Sequence, residues 1–135
     1  MAKVLVVDDE EHIVALIRFL LEKSGHAVST AGNGREALRV LGVDPYDEAA
    51  ALPDIVVLDV MMPIMDGYTA AVAIRNCPRT ASVPLLVVTA KGDMRRLFEG
   101  VTSVAGFFEK PFDPKALREA VTRITAEKGP SAPPA

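Results

Sequence analysis

Short apolar runs rich in Val, Ile and Leu recur along the chain, separated by stretches whose apolar positions come at helical spacing. That alternation predicts buried parallel strands joined by crossover helices. Lys3 to Val7 reads as the first strand. After Asp8 and Asp9, the positions Ile13, Leu16, Ile17, Leu20 and Leu21 trace one helical face, and Gly25 can end that helix in a left-handed conformation. Ala27 to Ala31 is the second strand, Asn33-Gly34 a turn, and Arg35 to Leu41 a short second helix. Gly42 to Pro53 reads as a loop punctuated by Pro45 and Pro53, followed by the third strand, Ile55 to Leu58. The proline of MMPIMDG marks another loop; Asp66 is placed to cap a third helix over Tyr68 to Arg75. Leu85 to Val88 is the fourth strand, and Asp93 opens a short fourth helix ending near Gly100. Gly106 to Phe108 is the fifth strand, and Asp113-Pro114 starts a last helix running to about Lys128. Five strands with five helices define a doubly wound five-stranded parallel α/β sheet, a class in which sites form beyond the carboxyl ends of the strands.

That rule gathers specific residues. Asp8 and Asp9 follow the first strand, Asp59 the third, Thr89 the fourth and Lys110 the fifth. Three carboxylates at one edge repel one another unless a cation or a shared proton intervenes. A hard divalent ion suits them, and Mg²⁺ prefers such oxygen ligands together with water and phosphate oxygens. His12 and His26 stand apart from each other and from other soft ligands, so the pattern offers no zinc site and both read as structural or exposed. A carboxylate is also a nucleophile toward phosphorus, giving an acyl phosphate, and the strand-end position of Asp59 suits that role. Lys110 offers a mobile cation and Thr89 a hydroxyl donor to phosphate oxygens. Each residue has an ordinary use too: Asp8 and Asp9 as helix-capping acids, Asp59 in a turn, Thr89 at a strand end, Lys110 solvated, Phe107 and Phe108 in the core.

Composition narrows the classes further. With 135 residues, half of them hydrophobic, the chain can build one core. We expect a single domain over residues 1–128 and a disordered Pro/Ala-rich tail or linker, GPSAPPA, over 129–135. The net charge of −3, with both signs interspersed, provides no cationic field for nucleic acid or an anionic membrane. Cys77 is the sole cysteine and fits a reducing compartment, and no apolar run is long enough to span a bilayer. MAKVLVV runs straight into Asp8 and Asp9 without a signal peptide's apolar stretch, so the expected location is the cytoplasm.

The motifs VLVVDDE, IVVLDVMMPIMDG, VVTA and FFEKPF, in this order, resemble those of the response-regulator receiver domains of two-component signalling, over about residues 3 to 127. The resemblance implies a flavodoxin-like receiver fold with strand order 2-1-3-4-5. It implies Asp59 as phosphoacceptor, and Mg²⁺ held by Asp9 directly, Asp8 through water, Asp59, and the main-chain carbonyl of Met61. It also implies Thr89 as the switch hydroxyl, Lys110 as the phosphate-binding lysine, Phe107 as the rotating switch aromatic, and a cis Lys110–Pro111 bond. The expected protein is a signalling switch rather than an enzyme. Its donor would be a histidine kinase or histidine phosphotransfer protein, and its output a protein partner or a missing effector domain. A Mg²⁺-dependent aspartyl-phosphate phosphatase or phosphotransferase is the alternative, but haloacid-dehalogenase-like enzymes carry a second aspartate where this chain has Met61. A nucleotide- or flavin-binding module lacks its glycine-rich loop here, and a constitutive interaction module would not need all five site residues.

Three places depart from the family pattern. Ile64 stands where glycine is common, the Gly42 to Pro53 connection is long, and the segment between Thr89 and Lys110 is short, leaving the fourth helix the least defined element.

Overall fold

The computed structural model describes residues 2–90, 96–101 and 103–128. The elements run β1 (Lys3–Val7), α1 (Glu11–Lys23), β2 (Ala27–Ala31), α2 (Gly34–Leu41), β3 (Ile55–Asp59), α3 (Gly67–Asn76), β4 (Leu85–Thr89), β5 (Val104–Glu109) and α4 (Pro114–Lys128). All strand pairings are parallel and the order is β2-β1-β3-β4-β5, as expected.

The apolar runs are continuous because β1, β3 and β4 are covered on both faces. Leu5, Val7, Val56, Leu58, Leu85 and Val87 join α2 and α3 in one core. Their neighbours Val4, Val6, Ile55, Val57, Leu86 and Val88 join α1 and α4 in the other. The two sets alternate along each strand, as the two-residue period of a strand requires. Each fully buried Val, Leu or Ile contributes about 1.5–3 kcal/mol, so these strands are the fixed platform on which the loops beyond them sit.

The helices follow local signals. Asn33 accepts from the Glu36 amide at 2.9 Å, and Glu36 in turn accepts the amide of Gly32, just before the cap, at 2.6 Å, so the chain entering the helix is fixed on both sides. Asn33-Gly34 is therefore the start of α2 rather than a free turn. Asp66 caps α3 through the Thr69 amide at 2.8 Å, and Gly25 at φ +94° follows the end of α1. On α1 the expected apolar face is corrected: Ile17 and Leu21 are buried and Ile13 and Val14 pack beside them, but Leu16 is exposed. Leu16 lies about 100° around the helix from Ile17, off the edge of the stripe that meets the sheet.

Of the expected fourth helix, Asp93 to near Gly100, residues 93–95 lie outside those described, and residues 96–98 form one tight 3₁₀ turn instead of an α-helix. The described residues thus hold four α-helices, not five. The expected tail, 129–135, also lies outside them. β5 is longer than expected and takes up an irregularity opposite Leu85 and Leu86, where Val104 and Gly106 are successive partners. The long connection after α2 is held by Arg79, whose guanidinium donates to the carbonyls of Leu41 at 3.1 Å and Ala50 at 2.6 Å. It contains a cis Asp44–Pro45 bond that had no sequence signal beyond the proline.

Candidate functional site

The carboxyl ends of β1, β3 and β4 and the turn after β5 form one edge. Asp8 closes β1: its amide donates to Ala31 at 3.1 Å, and its Oδ1 accepts from the Glu10 amide at 2.9 Å. That local bond fixes the carboxylate and starts α1 at the same time. Asp59 is the last residue of β3. The glycine of MMPIMDG matters here, because a Cβ on Gly67 would collide with the main-chain oxygen of Asp59. Its amide also binds the Val60 carbonyl at 2.8 Å, so α3 begins pressed against the strand end. Lys110 is anchored by its amide on the Thr89 carbonyl at 2.7 Å, and the following bond to Pro111 is cis, as the resemblance implied.

These anchors bring the side chains together. Carboxylate oxygens of Asp8, Asp9 and Asp59 lie within 4.8 Å of one another, with Asp8 and Asp59 buried and Asp9 exposed. The Lys110 ammonium reaches Asp8 Oδ2 at 3.0 Å, Glu10 Oε1 at 2.7 Å and Asp59 Oδ1 at 3.5 Å. Thr89 is buried at the end of β4. Phe107 pairs with Val87 in register and packs on the α2–α3 side, meeting Phe98 edge-on at 5.7 Å; Phe98 in turn meets Tyr68 at 5.4 Å. Because Val87 and Thr89 alternate onto one face, Phe107 and Thr89 are diagonal neighbours. Met61 lies two residues beyond Asp59 with its side chain exposed, lining with Met62, Tyr68 and Leu97 a separate pocket of about 340 Å³.

The charges are strained. Burial pushes the Asp59 carboxyl up to about 6, the charge of Asp8 pushes the same way, and Lys110 and the Val60 amide only partly oppose them. Burial by itself would depress the Lys110 ammonium, but hydrogen bonds to Glu10 and Asp8, with the charge of Asp59, outweigh it and hold the group above the usual lysine range. The Glu10 carboxyl is lowered by its hydrogen bond from Lys110. Among the described residues, the Lys110 ammonium against the carboxylates of Asp8, Asp9, Glu10 and Asp59 leaves excess negative charge in a set of oxygen donors, which is the donor chemistry of a hard divalent cation. Of the two histidines, His12 is exposed. His26 is buried, accepting the Ala2 amide at 3.1 Å and facing the Thr122 hydroxyl at 3.3 Å.

All five strand-end residues named from the sequence therefore reach one edge. Glu10 was missed, although the third acid of VLVVDDE was in view; its partner is 100 residues away and no local pattern announces the pairing.

Comparison with known proteins agrees with this geometry. Residues 4–122 match the model of the response regulator receiver domain family. The alkaline phosphatase synthesis transcriptional regulatory protein PhoP of Bacillus subtilis is 36% identical over 132 residues, 97% of this chain and 51% of that protein. The response regulator PleD of Caulobacter vibrioides is 38% identical over 94% of this chain and 27% of its own length. Among solved structures, the chemotaxis response regulator CheY4 of Vibrio cholerae superposes with a TM-score of 0.78 at 32% identity, covering 92% of this chain and 98% of that one. TrrA of Thermotoga maritima, solved in complex with Mg²⁺ and BeF, gives 0.75 at 29% identity, covering 92% and 99%. The chain belongs to the response regulator receiver domains, the signalling modules of two-component systems. It spans about half the length of PhoP and about a quarter of PleD. Among the described residues, no helix is long and apolar enough to cross a membrane.

Proposed function

We propose that the chain is a phosphorylatable switch that accepts a phosphoryl group on Asp59 and alters the surface around β4 and β5. The observation that carries this reading is the convergence of Asp8, Asp9, Asp59 and Lys110, from three separate chain segments, into one oxygen-rich cluster around the Lys110 ammonium.

Asp8, Asp9 and Asp59, with the Met61 main-chain carbonyl, are the residues that would hold Mg²⁺. When bound, the ion neutralises the carboxylates and the oxygens of the incoming phosphoryl group. An Asp59 oxygen attacks phosphorus of a phosphohistidine; the new O–P bond forms as the P–N bond breaks, and the departing imidazole takes up a proton. The charge spreads over peripheral oxygens, so positioning and electrostatic neutralisation by Lys110 supply the acceleration that the protein contributes. The donor is a histidine kinase or histidine phosphotransfer protein, and catalysis is confined to the chain's own phosphorylation and dephosphorylation. Residues 1–128 form the switch and 129–135 a linker in this reading; the output is a protein partner or an effector domain.

The acyl phosphate adds a charge of about −1.5 to −2 beside Asp59 and demands donors. Thr89 moves its hydroxyl toward it, vacating space that Phe107 fills. Phe107 has no hydroxyl to satisfy outside, so packing selects its inward position. Amide chemical shifts with and without the phosphoryl mimic beryllofluoride test this in wild type, Thr89→Ala and Phe107→Ala. Shifts spreading to β4, β5 and α4 in wild type and shrinking in Thr89→Ala are expected. Shifts confined to the acid cluster in wild type, or spreading identically in Thr89→Ala, would overturn the switch.

A further inference from the structure

We propose that Glu10 is a positioning residue that tethers Lys110 in the resting state and must release it when Asp59 is modified; the inference rests on the reading of Asp59 as phosphoacceptor. Three carboxylates surround the ammonium: Glu10 accepts a hydrogen bond at 2.7 Å, Asp8 lies at 3.0 Å and Asp59 at 3.5 Å. The shortest contact goes to the residue farthest from the chemistry, and the longest to the acceptor. Glu10 is the N-cap residue of α1, yet its side chain caps nothing and reaches across to Lys110 instead. Its main chain is pinned by the Asp8 carboxylate and by the amides of Ile13 and Val14, so the side chain projects from a fixed base. Lys110 is pinned equally, its main-chain amide donating a hydrogen bond to the Thr89 carbonyl.

The tether has a direction. The Glu10 side chain is 46% exposed whereas those of Asp8 and Asp59 are 3% and 4%, so the bond draws the ammonium toward the solvent mouth of the cluster and away from Asp59. A phosphoryl group on Asp59 needs that ammonium, which at rest is engaged by Glu10 and Asp8 more closely than by Asp59. Glu10, the partner that water can replace at least cost, is the one to let go. Glu10 thus biases the chain toward its unmodified state in proportion to the strength of one partly exposed ion pair, an effect of about two- to fivefold on an equilibrium.

The test uses the full chain at saturating Mg²⁺ with beryllofluoride as probe. Glu10→Gln removes the charge at constant size, and Glu10→Asp keeps it but draws it back by one methylene. Side-chain Cε and Nζ resonances of Lys110 are recorded without probe in the proteins that retain Lys110, and the beryllofluoride midpoint is titrated for each Glu10 variant with and without Lys110→Ala. The expected result is a displaced Lys110 signal in Glu10→Gln, with a midpoint lower by about two- to fivefold, Glu10→Asp in between, and no effect of Glu10→Gln once Lys110 is alanine. Unmoved Lys110 resonances and an unchanged midpoint overturn the tether, as does the same midpoint change in both backgrounds, which would mark a general charge effect. Absence of any beryllofluoride response in wild type overturns the acceptor reading instead, and the resting Lys110 resonances then decide the tether alone.

Discussion

Replacing Asp59 with asparagine stabilises the fold at neutral pH even though it removes the proposed acceptor. The carboxyl is pushed from its ordinary 3.8 up to about 6, mainly by burial and next by Asp8. A group whose pKa is raised on folding holds its proton more tightly in the folded state, so the contribution of Asp59 to stability falls as pH rises from 3.8 through about 6 and is flat above. The shift of about two pKa units corresponds to about 3 kcal/mol, an upper figure because solvent and side-chain relaxation soften it. Asparagine mimics the neutral acid and escapes the penalty, so Asp59→Asn gains about 2–3 kcal/mol at pH 7.5 and nothing at pH 3.5. With a urea m-value of about 1.5 kcal/mol/M, the midpoint rises by about 1.3–2 M. Urea melts in EDTA across this pH range measure it. Mg²⁺ at tenfold over its Kd adds about 1.4 kcal/mol to wild type and less to the variant, narrowing the gap. A variant less stable than wild type at pH 7.5, or a difference independent of pH, would refute the account of charge strain.

Ile64 has φ +69° with the Met65 amide bonded to the Pro63 carbonyl at 2.7 Å, a γ-turn that a β-branched residue adopts only under strain. Ile64→Gly therefore stabilises by about 0.5–1.5 kcal/mol after the entropy cost of glycine, read from the urea midpoint; a loss of stability would contradict this. Burial first, and the N-terminal charge next, lower the His26 imidazole, so its contribution is present above pH 6.5 and declines as pH falls below that value. His26→Ala costs about 1–2 kcal/mol at pH 7.5 through the lost bonds to Ala2 and Thr122, and less at pH 5; a larger loss at pH 5 would reverse the sign of the argument. Lys110→Ala leaves Mg²⁺ binding largely intact but uncouples beryllofluoride from the shifts at β4 and β5; unaltered shifts would show that Lys110 does not carry the coupling.

The strands were legible because β3 and β4 are buried on both faces, which leaves no polar alternation to confuse with a helix. Asp66 and Pro114 marked helix starts by chemistry that acts within four residues. Leu16 was misread because helical spacing alone does not say how wide a stripe the sheet will cover. The Glu10–Lys110 pair and the cis bond at Pro45 were invisible for another reason. The first depends on a contact between distant segments, and the second on packing that local sequence does not encode. The same limit applies to Phe107, whose place on the fifth strand was legible but whose edge-on partner, Phe98, lies in the segment that the family pattern defined least.

Intact mass of the protein after incubation with acetyl phosphate, with Mg²⁺ and with EDTA, tests the central claim most directly. The account predicts one added phosphoryl group, dependent on Mg²⁺ and mapping to Asp59. No added mass with Mg²⁺, or one added group that persists undiminished in Asp59→Asn, would contradict it.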